Sequence, residues 1–334
     1  MSCPVSVSTP TRSGFRIYSL IPILILGLLL SFPSLSIRGA LNGLLLWFHV
    51  VLPTLAPFLI CTQMITALGG IELIMRPFGP LLQNLFHLSL SGSYILLCGL
   101  LCGYPLGAKL CADFRKRGVI QEKEAAYLLA ICNHPSPMFL SGYVQAQLAL
   151  TISPALLFFC LYLPILPLSW IARRIYRIDK NSGNIDSTGA NATIATENPS
   201  LEDVIASACE TMVIIGGYIM LFSILVVWIQ EFPYGSSALR AFLTGAAEIT
   251  TGVNSLCTFF HDKKALMPVI CAVAFGGFSG IFQTKSVIKG TGLSIRQYMG
   301  WKLAHAFLSL FLTACLLSLP VRKTHWETVH YGWQ

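Results

Sequence analysis

Cys102-Gly103-Tyr104-Pro105-Leu106-Gly107-Ala108-Lys109 is the stretch that decides the fold. It interrupts an apolar run that opens at Leu88-Ser89-Leu90-Ser91-Gly92-Ser93-Tyr94 and closes at the basic loop Arg115-Lys116-Arg117. Proline removes a backbone donor and glycine releases the backbone from helical geometry, so Gly103, Pro105 and Gly107 together break a helix in its middle. Residues 88–114 therefore fit a helical hairpin that enters and leaves on one side better than a straight span. Just downstream, the apolar segment at about 124–148 is broken again, by Asn133-His134-Pro135-Ser136-Pro137.

Working outward, each flank offers further apolar segments of helix-spanning length, which is ~20 residues. Upstream lie a first helix at about 16–34, read as retained rather than as a cleaved signal peptide, and a second at about 41–69 bearing Pro53 and Pro57. Arg76 and Pro77 follow as a short loop. Downstream, a cleaner span at about 152–172 ends at Arg173, Arg174 and Arg177, and the polar stretch 178–204 reads as a flexible loop between two halves. The second half holds spans at about 205–230, 238–260, 265–290 and 297–320.

Composition agrees. The 334 residues are 54% hydrophobic and 11% charged, against about 25% charged for a soluble domain. The bilayer must then be most of the solvent. The net charge of +8 does not imply a nucleic-acid partner, because the Lys and Arg residues sit in short loop runs between apolar segments. The eleven cysteines show no paired metal spacing, so neither a disulfide nor a metal is expected. No HExxH, GxSxG, P-loop or GxGxxG pattern is present, and an enzyme is not expected.

The halves can be laid over each other. Gly107 in the first motif matches Gly252 in Glu248-Ile249-Thr250-Thr251-Gly252-Val253-Asn254, and Ser136-Pro137-Met138-Phe139 matches Ser279-Gly280-Ile281-Phe282. The matched points are 29 residues apart in one half and 27 in the other. Loop charge places Arg115–Arg117 and Arg173–Arg177 on the cytoplasmic side. Three crossings then separate the two hairpins, which inverts the second half. The expected fold is thus an all-α polytopic membrane protein of two inverted repeats, each with a re-entrant helical hairpin and a broken transmembrane helix. Its parts are residues 1–38 (tail and first helix), 39–177 (first repeat), 178–204 (cytoplasmic loop), 205–321 (second repeat) and 322–334 (tail). The helix breaks are expected at Gly103, Pro105, Gly107, Pro135, Pro137, Gly252, Gly277 and Gly280. This pattern is the signature of a secondary transporter with a midplane site.

A charge at the helix centre costs about 2.5–3.5 kcal/mol even on lenient scales, so it is kept to pair or to bind. Lys109, Glu248 and Lys285 fall in that zone. Lys109 and Lys285 are expected to attract an anionic solute, helped by the N-termini of broken helices. A Lys109–Glu248 ion pair is the structural alternative. Glu248 is also the candidate for coupling to H⁺ or Na⁺, the one accessory ion expected, and there is no cofactor. Asn133, Ser136, Thr250, Thr251, Asn254, Ser279, Gln283 and Thr284 would hydrogen-bond the solute. His134 could titrate or simply cap, whereas His49 and His305 read as packing or interhelical hydrogen bonds.

At Gly103-Tyr104-Pro105-Leu106-Gly107-Ala108-Lys109-Leu110, Asn133–Phe139 and Glu248–Gly252, the chain resembles the YlbJ-type (SpoVV) sporulation integral membrane proteins. Those proteins carry the nucleoside-recognition Gate domain, and the resemblance covers about residues 40–320. It implies a core like that of concentrative nucleoside transporters, and a role in spore cortex formation. It also implies movement of dipicolinate, a small aromatic dianion, across the outer forespore membrane of a spore-forming bacterium. Related sequences read Asn-Asn-Ser-Gly-Pro where this chain has Asn133–Pro137, and the ribose contacts of nucleoside carriers are thin here. A nucleoside carrier and a non-transporting sporulation or envelope assembly factor remain the alternatives. The expected partners are an anionic solute and the lipid bilayer, with a homo-oligomer left open.

Overall fold

The computed structural model describes residues 20–148, 152–178, 200–232 and 235–318, which are mainly helical, with no strand among them. Five stretches of these are long and apolar enough to cross a membrane: Pro33–Ala67, Pro154–Tyr176, Leu201–Glu231, Leu266–Val287 and Ile295–Ser318. The chain is a multi-pass helical membrane protein.

Helix α1 (Leu20–Ser31) ends where Pro33 opens α2 (Pro33–Leu46), since proline suits the first turn of a new helix. The break thus falls earlier in the chain than the gap expected from sequence. One π-helical turn, Trp47–Val51, joins α2 to α3 (Leu52–Ala67) just ahead of Pro53. Wider turns of this kind let a helix absorb a lost hydrogen bond. Helix α4 (Ile71–Phe86) contains Arg76 and Pro77, which are therefore helical and not a loop, and it meets α5 at 99°.

Two helix pairs reverse the chain. The first is α5 (Leu90–Cys102) with α6 (Leu106–Lys116), turning at Gly103-Tyr104-Pro105. In a straight helix residues 99 and 107 would stand about 12 Å apart. Here a Cβ on Gly99 would lie 3.0 Å from the Cα of Gly107, so the arms fold back on each other. Next come α7 (Glu122–Ile131), an unwound stretch at 132–136, a π-helical segment (Phe139–Val144), the short α8 (Gln145–Gln147), α9 (Pro154–Tyr162) and α10 (Ile165–Tyr176).

Helix α11 (Leu201–Glu231) opens with a capping box between Ser200 and Asp203, before the expected end of the loop at 204; residues 179–199 and the tail 322–334 lie outside the described residues. It packs on α2 through Gly39 and Gly43, where a Cβ would stand 2.6 Å from the Cα of Ile224 and 2.7 Å from the Cα of Met220. Small residues four apart allow this close approach in a bilayer. The second hairpin is α12 (Ser237–Ala247) with α13 (Ile249–Phe259), joined by the single extended residue Glu248. A Cβ on Gly252 would lie 2.3 Å from the Cα of Gly245. Then α14 (Leu266–Phe275) and α15 (Gly277–Val287) meet at Gly276, and α16 (Ile295–Ser318) closes the fold.

The breaks lie at Gly103, Pro105, Pro135 and Gly277, with φ of +87° at Gly103 and +68° at Gly277. Gly107, Gly252 and Gly280 sit inside helices, and Pro137 opens the helical turn that follows its break, so these four correct the expectation. Gly107 and Gly252 serve the arm-to-arm contact instead, and Gly280 borders a cavity.

Helix α16 is polar inside and apolar outside. Tyr298, Lys302, His305, Ser309 and Thr313 are buried, while Leu303, Phe307 and Phe311 are exposed. Only a nonpolar solvent favours that arrangement.

Candidate functional site: a cavity at the hairpin tips

Each hairpin tip docks on the broken helix that follows it. A Cβ at Gly99 or Gly107 would meet the Cys132 carbonyl at 2.1 or 2.2 Å, and one at Gly103 would meet the Ser136 nitrogen at 2.8 Å. In the second half, a Cβ at Gly277 would stand 3.4 Å from the Ala247 carbonyl and from the Ile249 nitrogen. Both tips and both breaks thereby border one cavity of about 110 Å³, closed on the remaining side by α2, α3 and α11.

Five of the residues expected to contact a solute line it: Ser136, Glu248, Thr250, Ser279 and Gln283. Glu248 is buried, and its side chain caps α13: Oε1 accepts from the Thr250 N–H at 3.0 Å and Oε2 from the Thr251 N–H at 2.8 Å. The helix N-terminus expected to receive a solute anion is filled by the protein's own carboxylate. Gln283 donates to the Ser279 hydroxyl at 3.0 Å, and Ser136 accepts from the Phe139 N–H at 3.2 Å. The Tyr143 hydroxyl donates to the Thr250 carbonyl at 2.7 Å.

The other expected residues lie elsewhere. Lys109 pairs with Asp113 one turn along α6, at 2.7 Å, and not with Glu248. Lys285 is exposed and stands 5.6 Å over the Phe282 ring. Neither lysine lines the cavity. Asn254 faces a separate open groove of about 410 Å³ near Arg240, at the base of the second hairpin. Asn133 is spent on the protein itself: its amide donates to Thr284 at 3.0 Å and Tyr298 at 2.7 Å, and its oxygen accepts from the Ala108 N–H at 3.4 Å. Asn133 and Thr284 therefore tie the first break to α15 and α16. Thr251 contributes its backbone N–H, to Glu248.

Sequence reasoning missed Tyr104, whose buried hydroxyl has no hydrogen-bond partner among the described residues, and Phe139, which also lines the cavity. It also missed Lys302, 2% exposed, with Nζ 3.3 Å from the Asn133 carbonyl. A signal existed. Residues 298, 302, 305, 309 and 313 recur at helical spacing, a polar stripe in an apolar helix.

The chain is similar to a sporulation protein. The relative is the sporulation integral membrane protein YlbJ of Bacillus subtilis (strain 168), 25% identical over an alignment of 310 positions, which covers 80% of this chain and 74% of the relative. No family model and no solved structure matches the chain.

Proposed function

We propose that this chain is a membrane carrier for a small polar solute, working by alternating access around the cavity at the hairpin tips. The observation that carries the reading is the meeting of four interrupted segments, two tips and two breaks, at one cavity holding a buried carboxylate. Unwound backbone inside lipid is tolerated where it is buried in protein or lines a cavity. In this reading the two hairpins are re-entrant, the halves are inverted repeats, and three crossings between the hairpins set the inversion. The Gly99–Gly107 and Gly245–Gly252 contacts, one in each hairpin, support the repeat.

For the cargo we propose dipicolinate or a similar small carboxylate, moved across the outer forespore membrane during spore formation and serving the cortex. The likeness to a protein named for sporulation supports that setting. One observation favours a second reading. Among the described residues, Glu248 is the one Asp, Glu, Lys, Arg or His on the cavity wall. Its carboxylate accepts hydrogen bonds and repels anions. A hydroxyl-bearing neutral solute such as a nucleoside suits that wall.

Uptake of labelled dipicolinate and of uridine by vesicles containing only this protein separates the readings. Saturable uptake of one probe is expected, reduced about five- to thirtyfold by Q283A with Ser279 left intact, since a lost polar contact is worth about 1–2 kcal/mol. Uptake of neither probe, with sporulation still dependent on the protein, would point to an assembly role and overturn the carrier reading.

A further inference from the structure

Lys302 has no carboxylate within ion-pair distance among the described residues. Its Nζ donates to the Asn133 carbonyl and stands 5.6 Å from the centre of the Tyr104 ring. One turn along α16, His305 is wedged between two carbonyls, with Nε2 2.9 Å from the Leu161 oxygen and Nδ1 3.3 Å from the Ala274 oxygen. A neutral imidazole has one N–H. It satisfies one carbonyl and turns a lone pair on the other, whereas the imidazolium satisfies both. Against this ring, at 4.4 Å between centroids, lies His134, both of whose nitrogens are buried and make no hydrogen bond of good geometry among the described residues.

Three basic groups thus share one buried compartment, with no acid paired to them among the described residues. The groups facing them come from several elements. Tyr104 stands at the first hairpin tip, Tyr162 of α9 donates to the Pro135 carbonyl, and Tyr298 of α16 accepts from Asn133. Glu248 stands at the second tip with both oxygens on backbone N–H groups. The compartment adjoins the cavity: Tyr104, Pro135 and Gly276 line the cavity, and a Cβ on Gly276 would stand 3.7 Å from the Lys302 Nζ.

We propose that Lys302, His134 and His305 form a proton-binding site behind the cavity, whose loading is linked to what the cavity holds. The three groups titrate as a unit, because each cation disfavours the next. A proton added there puts one more positive charge beside the cavity, so an anion bound in the cavity draws the proton in, and its departure lets the proton go. Linkage makes the effect reciprocal. The coupling half of this rests on the carrier reading; the proton site does not.

Two measurements decide it. In the first, nitrogen NMR follows the histidine side chains of the full-length protein in lipid nanodiscs across about pH 3 to 8, wide enough to reach buried as well as exposed imidazoles, with H134Q and H305Q assigning the signals. The expected result is that the two rings change together and that K302M displaces the change. Rings that stay fixed across the range, or that ignore K302M, overturn the proton site, and the wild-type titration decides even where a variant does not fold. In the second, vesicles carry a trapped pH indicator while dipicolinate or uridine is supplied outside. A pH change that accompanies uptake and is lost in H305Q supports coupling. Uptake in the wild type without any pH change overturns coupling and leaves the carrier standing. Uptake of neither probe overturns the carrier and the coupling, and the NMR measurement still decides the site.

Discussion

Glu248 belongs to two structures at once, the cap of α13 and the wall of the cavity. Substitutions separate the roles. E248A removes both oxygens from the Thr250 and Thr251 N–H groups and should cost about 1 kcal/mol of stability. E248Q keeps one accepting oxygen, so thermal melting should fall less than in E248A, while uptake falls in both. Equal uptake in E248Q and the wild type would remove the carboxylate from the cargo site. Asn133 gives a second contrast. N133A leaves the Tyr298 hydroxyl and the Ala108 N–H short of a buried partner, at about 1–3 kcal/mol, whereas N254A alters an exposed side chain and should stay within about 0.5 kcal/mol. Melting midpoints of the two variants check this. Both are asparagines near glycine or proline within an apolar segment, and sequence could not tell them apart. It could have told more about Lys109. Asp113 stands four residues on, and a pair at that spacing faces one side of a helix.

At the scale of elements, the hairpins and their breaks were legible because glycine and proline weaken a helix and polar residues are costly in lipid, so a cluster of all three inside an apolar run marks an interruption. Gly103 and Pro105 mark one tip, and Pro135 and Gly277 mark the two breaks. The role of the remaining glycines was not legible. A glycine inside a membrane helix serves equally to bend the chain or to admit a neighbour, and only the neighbour's position decides. For Gly107 that neighbour is the Cys132 carbonyl. G107A should therefore overpack the joint between α6 and the first break, at about 1–3 kcal/mol. Gly142 is the control: a Cβ there meets nothing within 4 Å, and G142A should leave both melting and the amount of protein in the membrane unchanged. If G107A were as silent as G142A, the tight docking of hairpin on break would be refuted.

For the whole molecule, the decisive question is whether the cavity opens to one side at a time. Its walls come from both halves of the chain, and Asn133, Thr284 and Tyr298 fasten those halves behind it. A site built that way can be exposed by moving one half against the other, without unfolding either. Ser136 lies on the wall of this cavity, while Asn254 lines the open groove at the base of the second hairpin. In a background stripped of the eleven native cysteines, S136C should react with a membrane-impermeant thiol reagent from either face. The accepted cargo should shield it, and its two-sided reactivity should fall when the second hairpin is crosslinked to α15. N254C should react from one face only, with or without cargo. A fixed channel makes a different demand, because S136C would then label equally from both faces whether or not the hairpin could move. Labelling of S136C that ignores the crosslink would therefore replace the rocking carrier with a static pore built from the same broken helices.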